Sequence, residues 1–146
     1  MRSTLAALAL LVLAVPLSAQ EKQIIGGPLA PNARISPGVR VGGLLFTSGQ
    51  LGLVPMDSGG PGTIGDQTTR VMSRIKRVAE EGGTTMDRAV KCLVFIVDIA
   101  DFGGMNAAYS LFFPKDPPAR STVVVAGLVN NAKVEIECIF AMPAGK

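Results

Sequence analysis

Histidine is absent from the 146-residue chain. Without an imidazole, Ser-His-Asp and Cys-His catalysis are excluded, and so are most zinc and non-haem iron sites. Tryptophan is also absent and tyrosine occurs once, so bases would find few platforms to stack on. Cysteine occurs twice, as Cys92 and Cys138, too few for a disulfide scaffold. Both stand in apolar, strand-like runs, where cysteine usually serves as a small core residue. An oxidising compartment would permit a bond between them, but spacing alone does not place their Cα atoms.

Charge of either sign is sparse. The N-terminus nevertheless has a distinct order. Met1-Arg2 gives a positive start, Leu5 to Val15 is an unbroken apolar run, Pro16 breaks it, and Leu17-Ser18-Ala19 ends on a small residue. This order predicts a secretory signal over 1–19, cleaved to leave a domain over 20–146. The run is too short to span a bilayer, which takes about 20 residues. The protein is therefore expected in the periplasm or outside the cell, with no membrane association after cleavage. Removing Arg2 from the 14 basic residues leaves 13 against 11 acidic ones, a formal net charge of +2. That is too weak by itself to argue for a nucleic-acid or membrane partner.

The remaining chain reads as one α+β domain. Val39-Arg40-Val41 and Leu44 to Thr47, joined by Gly42-Gly43, predict a hairpin. Gly52 to Gly65 is a Gly- and Pro-rich loop. Asp66 is expected to cap a helix with Val71, Ile75 and Val78 on its apolar stripe, stopped by Gly82-Gly83. Val90 to Val97 is apolar on both alternating sets apart from Lys91, which predicts a buried strand. Asp101 is expected to cap a second helix carrying Phe102, Met105, Tyr109 and Phe112, ended by Pro114. Thr122 to Ala126 and Val134 to Ala141 predict two further strands around a loop at Asn130-Asn131. The order is β-β-α-β-α-β-β. Two helices cover only one face of such a mixed sheet, so its other, apolar face predicts an oligomer.

Three local patterns carry the chemistry. Leu44-Leu45-Phe46-Thr47-Ser48-Gly49-Gln50 is a strand ending at a Ser-Gly turn. Val94-Phe95-Ile96-Val97-Asp98 is followed by Asp101-Phe102 and Asn106-Ala107-Ala108-Tyr109. Pro117-Pro118-Ala119-Arg120-Ser121-Thr122-Val123 is followed by Val134-Glu135-Ile136-Glu137. In this order they resemble the Rid family of reactive intermediate deaminases, the YjgF-like proteins. The resemblance implies a chorismate-mutase-like fold, a homotrimer with active sites in clefts between subunits, and no cofactor or metal. It implies hydrolysis of 2-imino or enamine acids to 2-keto acids and ammonia.

Residue by residue, Arg120 matches the substrate-binding arginine. Its planar fork fits a carboxylate and keeps its charge at any working pH. Glu135 matches the glutamate that holds the attacking water, a task suited to a carboxylate beside an imine carbon. Glu137 shares its side-chain orientation in a strand, and only the resemblance separates the two. Ser48 and Gly49 match the Ser-Gly turn lining the cleft, where glycine lets backbone N–H approach a ligand. Asn106 matches a site asparagine, and Thr122 stands where many relatives carry cysteine. Ile35, within Ala33-Arg34-Ile35-Ser36-Pro37, replaces a tyrosine that contacts substrate.

Two alternatives stand beside the enzyme. One is a binder of small carboxylates on the same fold, without turnover. The other is an RNA-acting protein, since some relatives carry an endoribonuclease label. Arg70, Arg74 and Arg77 lie on one helix face, balanced by Glu80 and Glu81.

Overall fold

The computed structural model describes residues 21–27, 31–53 and 62–144. The signal-like segment over 1–19 lies outside these residues, as does most of the Gly- and Pro-rich loop. The described residues form seven strands and two α-helices, in chain order β1 (Gln23–Ile25), β2 (Gly38–Val41), β3 (Leu44–Thr47), β4 (Gln50–Leu51), α1 (Ile64–Glu81), β5 (Ala89–Ile96), α2 (Phe102–Ser110), β6 (Ala119–Val124) and β7 (Val134–Ala141). They form one mixed sheet in the order β1-β2-β3-β7-β5-β6, with β4 also pairing β7. Only β5 and β6 run parallel, and α2 is the crossover between them.

The sheet has a covered face and an open face, set by the period-two alternation of its strands. Leu45, Cys92, Val94, Ile96, Val134, Ile136, Cys138 and Phe140 are buried on the covered face. Helix α1 lays Val71, Met72, Ile75 and Ala79 against them, and α2 adds Met105 and Tyr109. The close approach of α1 to β3 depends on Gly82, where a Cβ would meet Leu45 Cδ2 at 2.7 Å. On the other face Phe46 pairs with Ile139, Leu93 with Glu137 and Phe95 with Glu135. Among the described residues no helix covers that side, as the count of helices predicts, and Leu44, Phe46 and Val123 are exposed on it.

Helix α1 begins earlier than its sequence suggests. Thr63, not Asp66, is the N-cap. The Thr63 hydroxyl accepts from Asp66 N at 3.2 Å, and the Asp66 carboxylate accepts from Thr63 N at 2.9 Å, a reciprocal capping box. The Thr63 hydroxyl and then its backbone N–H hold the Asp66 carboxyl below its ordinary pKa. The second helix is likewise preceded by a 3₁₀ turn over Ile99–Asp101. Asp98, not Asp101, accepts there, from Ala100 N. Asp101 does hold the N-cap position of α2, but its side chain makes no capping bond and pairs with Lys133 at 3.1 Å.

Cys92 and Cys138 are core residues, as their apolar runs predict, but they are also joined in a disulfide. The antiparallel register of β5 and β7 sets them directly opposite each other, with Cα atoms 4.1 Å apart. That register, absent from the sequence, is what brings the two sulfurs together.

Candidate functional site

Arg120 is the second residue of edge strand β6, aligned with Cys92 and therefore directed to the helix-covered side. There its guanidinium leans on α2. Arg120 Nη2 donates to Asn106 Oδ1 at 2.8 Å. The guanidinium carbon lies 4.7 Å from the centroid of the Tyr109 ring and 6.0 Å from that of Phe102. Pro117 and Pro118 deliver the chain into β6 and close a cleft of about 380 Å³ with Asn106, Tyr109, Phe113 and Arg120. This cleft presents a fixed cation over an apolar floor, a combination suited to a small carboxylate with an apolar side chain. Thr122, two residues on, faces the same side, and its Oγ1 is buried without a protein partner.

Ser48, Gly49 and Glu135 form a second cluster. Between the pairs Phe46–Ile139 and Gln50–Ile136, four steps along one strand face three along the other, so one extra residue bulges at Ser48-Gly49. Thr47 spans the interruption by donating to Cys138 O and accepting from Cys138 N. The bulge lets the Glu135 side chain lie against Gly49, where a Cβ would overlap the carboxylate. Any other residue at 49 would displace Glu135. Geometry thus separates the two glutamates: Glu137 instead lines a small hollow with Lys91 and Phe46 on the open face. Ser48 Oγ donates to Ser36 O at 2.6 Å, which holds the segment carrying Ile35 beside this turn. Ile35 itself is 74% exposed.

The two clusters do not meet within one chain. Glu135 is aligned with Phe95 and Arg120 with Cys92, so their side chains leave opposite faces of the sheet. They are separated by two strand spacings and three residues, roughly 10 Å in each direction.

The sequence places Phe102 and Tyr109 on the second helix without giving either a role toward Arg120. Their spacing with Asn106 at i, i+4 and i+7 was the available signal, since it sets all three on one helix face. Tyr109 is core as well, at 4% exposure, but its ring is also the surface under Arg120.

The arginines of α1 are not a phosphate-facing stripe. Arg70 Nε donates to Gly52 O at 2.8 Å, and Arg74 donates to Leu51 O and to Leu53 O, tying the end of β4 to the helix. Arg77 pairs with Glu81 at 3.7 Å. Among the described residues no group of three or more Asp, Glu or Cys is placed to hold a metal ion.

The profile of the Endoribonuclease L-PSP family matches residues 27–142. Reactive Intermediate Deaminase A of Arabidopsis thaliana is 37% identical over 134 residues, covering 89% of this chain and 71% of its own. The 2-iminobutanoate/2-iminopropanoate deaminase of Dermatophagoides farinae is 40% identical over 124 residues, covering 83% and 97%. Among solved structures, E. coli TdcF with bound serine superposes with a TM-score of 0.73 at 32% identity, over 83% of this chain and 99% of that one. With a family profile spanning most of its length and relatives at this identity, the chain belongs to the Rid family, the YjgF-like or endoribonuclease L-PSP proteins.

Proposed function

We propose that the protein hydrolyses reactive 2-imino acids to 2-keto acids and ammonia, in sites shared between neighbouring subunits of a homotrimer. The observation that carries this reading is the split itself. Arg120, backed by Asn106, offers a carboxylate fork on one side of the sheet, and Glu135, seated on Gly49, offers a base on the other. A second copy of the chain, packed at the sheet edge, would set one cluster against the other. The names of the relatives, reactive intermediate deaminase and 2-iminobutanoate deaminase, support the chemistry.

In this mechanism Arg120 binds the substrate carboxylate and Glu135 accepts a hydrogen bond from water. As the water oxygen bonds to C2, Glu135 takes its proton and the C=N electron pair moves to nitrogen, which is protonated from solvent. Glu135 returns its proton to the carbinolamine nitrogen, the hydroxyl proton passes to solvent, the oxygen electron pair forms the C=O bond as the C–N bond breaks, and ammonia leaves with the 2-keto acid. Ser48 and Gly49 line the approach, and Thr122 supplies a small polar surface beside Arg120. No cofactor enters the scheme. Ammonia release from freshly generated 2-iminobutanoate tests it: release no faster than in buffer alone would leave the carboxylate-binding reading.

That second reading draws on one observation, the apolar Ile35 beside Ser48. A hydroxyl missing there should slow small substrates by roughly two- to tenfold, the worth of one neutral hydrogen bond. Ile35→Tyr is expected to raise the rate on 2-iminopropionate by that factor and to leave assembly unchanged. Leucine- and methionine-derived imines should gain least, because Ile35 packs against their side chains. A rate on 2-iminopropionate unaltered by the substitution would clear Ile35 of any handicap.

For assembly, light scattering at micromolar concentration should give three chains per particle, closing the open face that carries Leu44, Phe46 and Val123. A monomer would remove the shared site. The protein is also proposed to be exported and to begin, when mature, at or near Gln20. The Cys92–Cys138 bond supports this, since such bonds persist in oxidising compartments. Intact-mass measurement from a native host decides it, and a mass retaining residues 1–19 would refute export.

A further inference from the structure

An arginine at a sheet edge can swing through many rotamers, and a carboxylate must wait for one of them unless the head is held. Arg120 is held in two ways that have separate chemistry. Asn106 Oδ1 takes one N–H of the guanidinium at 2.8 Å. The Tyr109 ring lies under the guanidinium carbon at 4.7 Å, inside the roughly 6 Å reach of a cation–π contact. The platform is rigid because Tyr109 is 4% exposed and packs on Phe113 with ring centroids 5.0 Å apart. Its hydroxyl, by contrast, is buried without a protein partner. Burial lifts its pKa to about 12 against the opposing pull of the Arg120 charge, so the ring stays uncharged at working pH.

We infer that Tyr109 is a positioning residue: its ring face, with Asn106, orients the Arg120 fork before a carboxylate arrives, while its hydroxyl is dispensable. The inference rests on the carboxylate-binding role proposed for Arg120. A pre-oriented fork strengthens ground state and transition state alike, so its loss should appear in KM and Kd rather than in kcat.

The experiment measures Kd for 2-oxobutanoate, a stable 2-keto acid, by calorimetry on the full protein, together with kcat and KM on 2-iminobutanoate. Tyr109→Leu should raise Kd and KM by about three- to thirtyfold, the span of cation–π strengths, with kcat within about threefold. Tyr109→Phe should stay within about twofold of wild type on both, since the ring remains. Should Tyr109→Leu fail to fold, phenylalanines of increasing ring fluorination at position 109 keep the shape and drain the ring quadrupole. Kd should then climb stepwise with fluorination at constant Tm. A flat Kd across that series, or Tyr109→Phe as weak as Tyr109→Leu, would overturn the role of the ring. A wild type that neither binds 2-oxobutanoate nor turns over imine would instead bring down the underlying reading of Arg120, and this role with it. A wild type that binds while Tyr109→Leu binds equally well overturns this role alone.

Discussion

Arg120→Ala should lower kcat/KM for 2-iminobutanoate by about 30- to 1,000-fold while leaving the oligomer intact. Losing a charge-assisted, two-pronged contact costs roughly 2 to 4 kcal/mol of transition-state binding. The side chain is half-exposed, two of its partners, Asn106 and Phe102, are exposed, and the Tyr109 ring beneath it stays packed on Phe113 without it. Arg120→Lys should recover only part of the loss, since an ammonium lacks the planar fork. The split between the two clusters makes a sharper form of the same experiment available. Arg120→Ala and Glu135→Gln chains, each inactive alone, should regain activity when unfolded together and reassembled. With random mixing in a ring, about a quarter of the shared sites would combine an intact Arg120 with an intact Glu135. No recovery would mean that one chain supplies both groups. Full activity in Arg120→Ala by itself would remove Arg120 from the mechanism.

The second large effect concerns stability. The Cys92–Cys138 bond closes a loop of 46 residues. On the chain-entropy account, such a loop restrains the unfolded state by roughly 4 kcal/mol. That is a large share of the stability of a domain this size, typically about 5–15 kcal/mol. Unfolding by urea in the presence of a thiol reductant should therefore shift to a much lower midpoint. The Cys92→Ala/Cys138→Ala protein should sit near the reduced one, somewhat lower for the sulfur volume lost from the core. Identical midpoints with and without reductant, confirmed by thiol counting in the unfolded protein, would show that the bond contributes nothing.

Much of this fold is legible in the sequence because its long elements have clean periods. The Val71, Ile75 and Val78 stripe, the Gly82-Gly83 stop and the alternation of Val134 to Ala141 translate directly into α1 and β7. Strands β1 and β4 have three and two residues, too short for any period to register. Thr63 does not stand out as a cap although Asp66 stands three residues on, the spacing of a capping box, because the glycines around it read as loop. The pairing of the cysteines depends on the register of β5 against β7, and register is a property of two strands together. For the site, Arg120, Asn106, Ser48, Gly49 and Glu135 are legible through family resemblance. Individually they look like surface polar residues. Their division between two faces of the sheet needed the strand alignment, and the role of Tyr109 needed the distance to Arg120.

With one tyrosine and no tryptophan in the chain, near-ultraviolet emission of the folded protein comes from Tyr109. That fluorophore sits against the guanidinium expected to meet the ligand. The protein thus carries its own optical gauge of occupancy. A carboxylate drawing Arg120 away from the ring, or neutralising its charge, alters the emission of this one residue, with no tryptophan to blur it. Candidate ligands can be titrated in unlabelled protein, and a compound that binds elsewhere on the surface will leave the signal still.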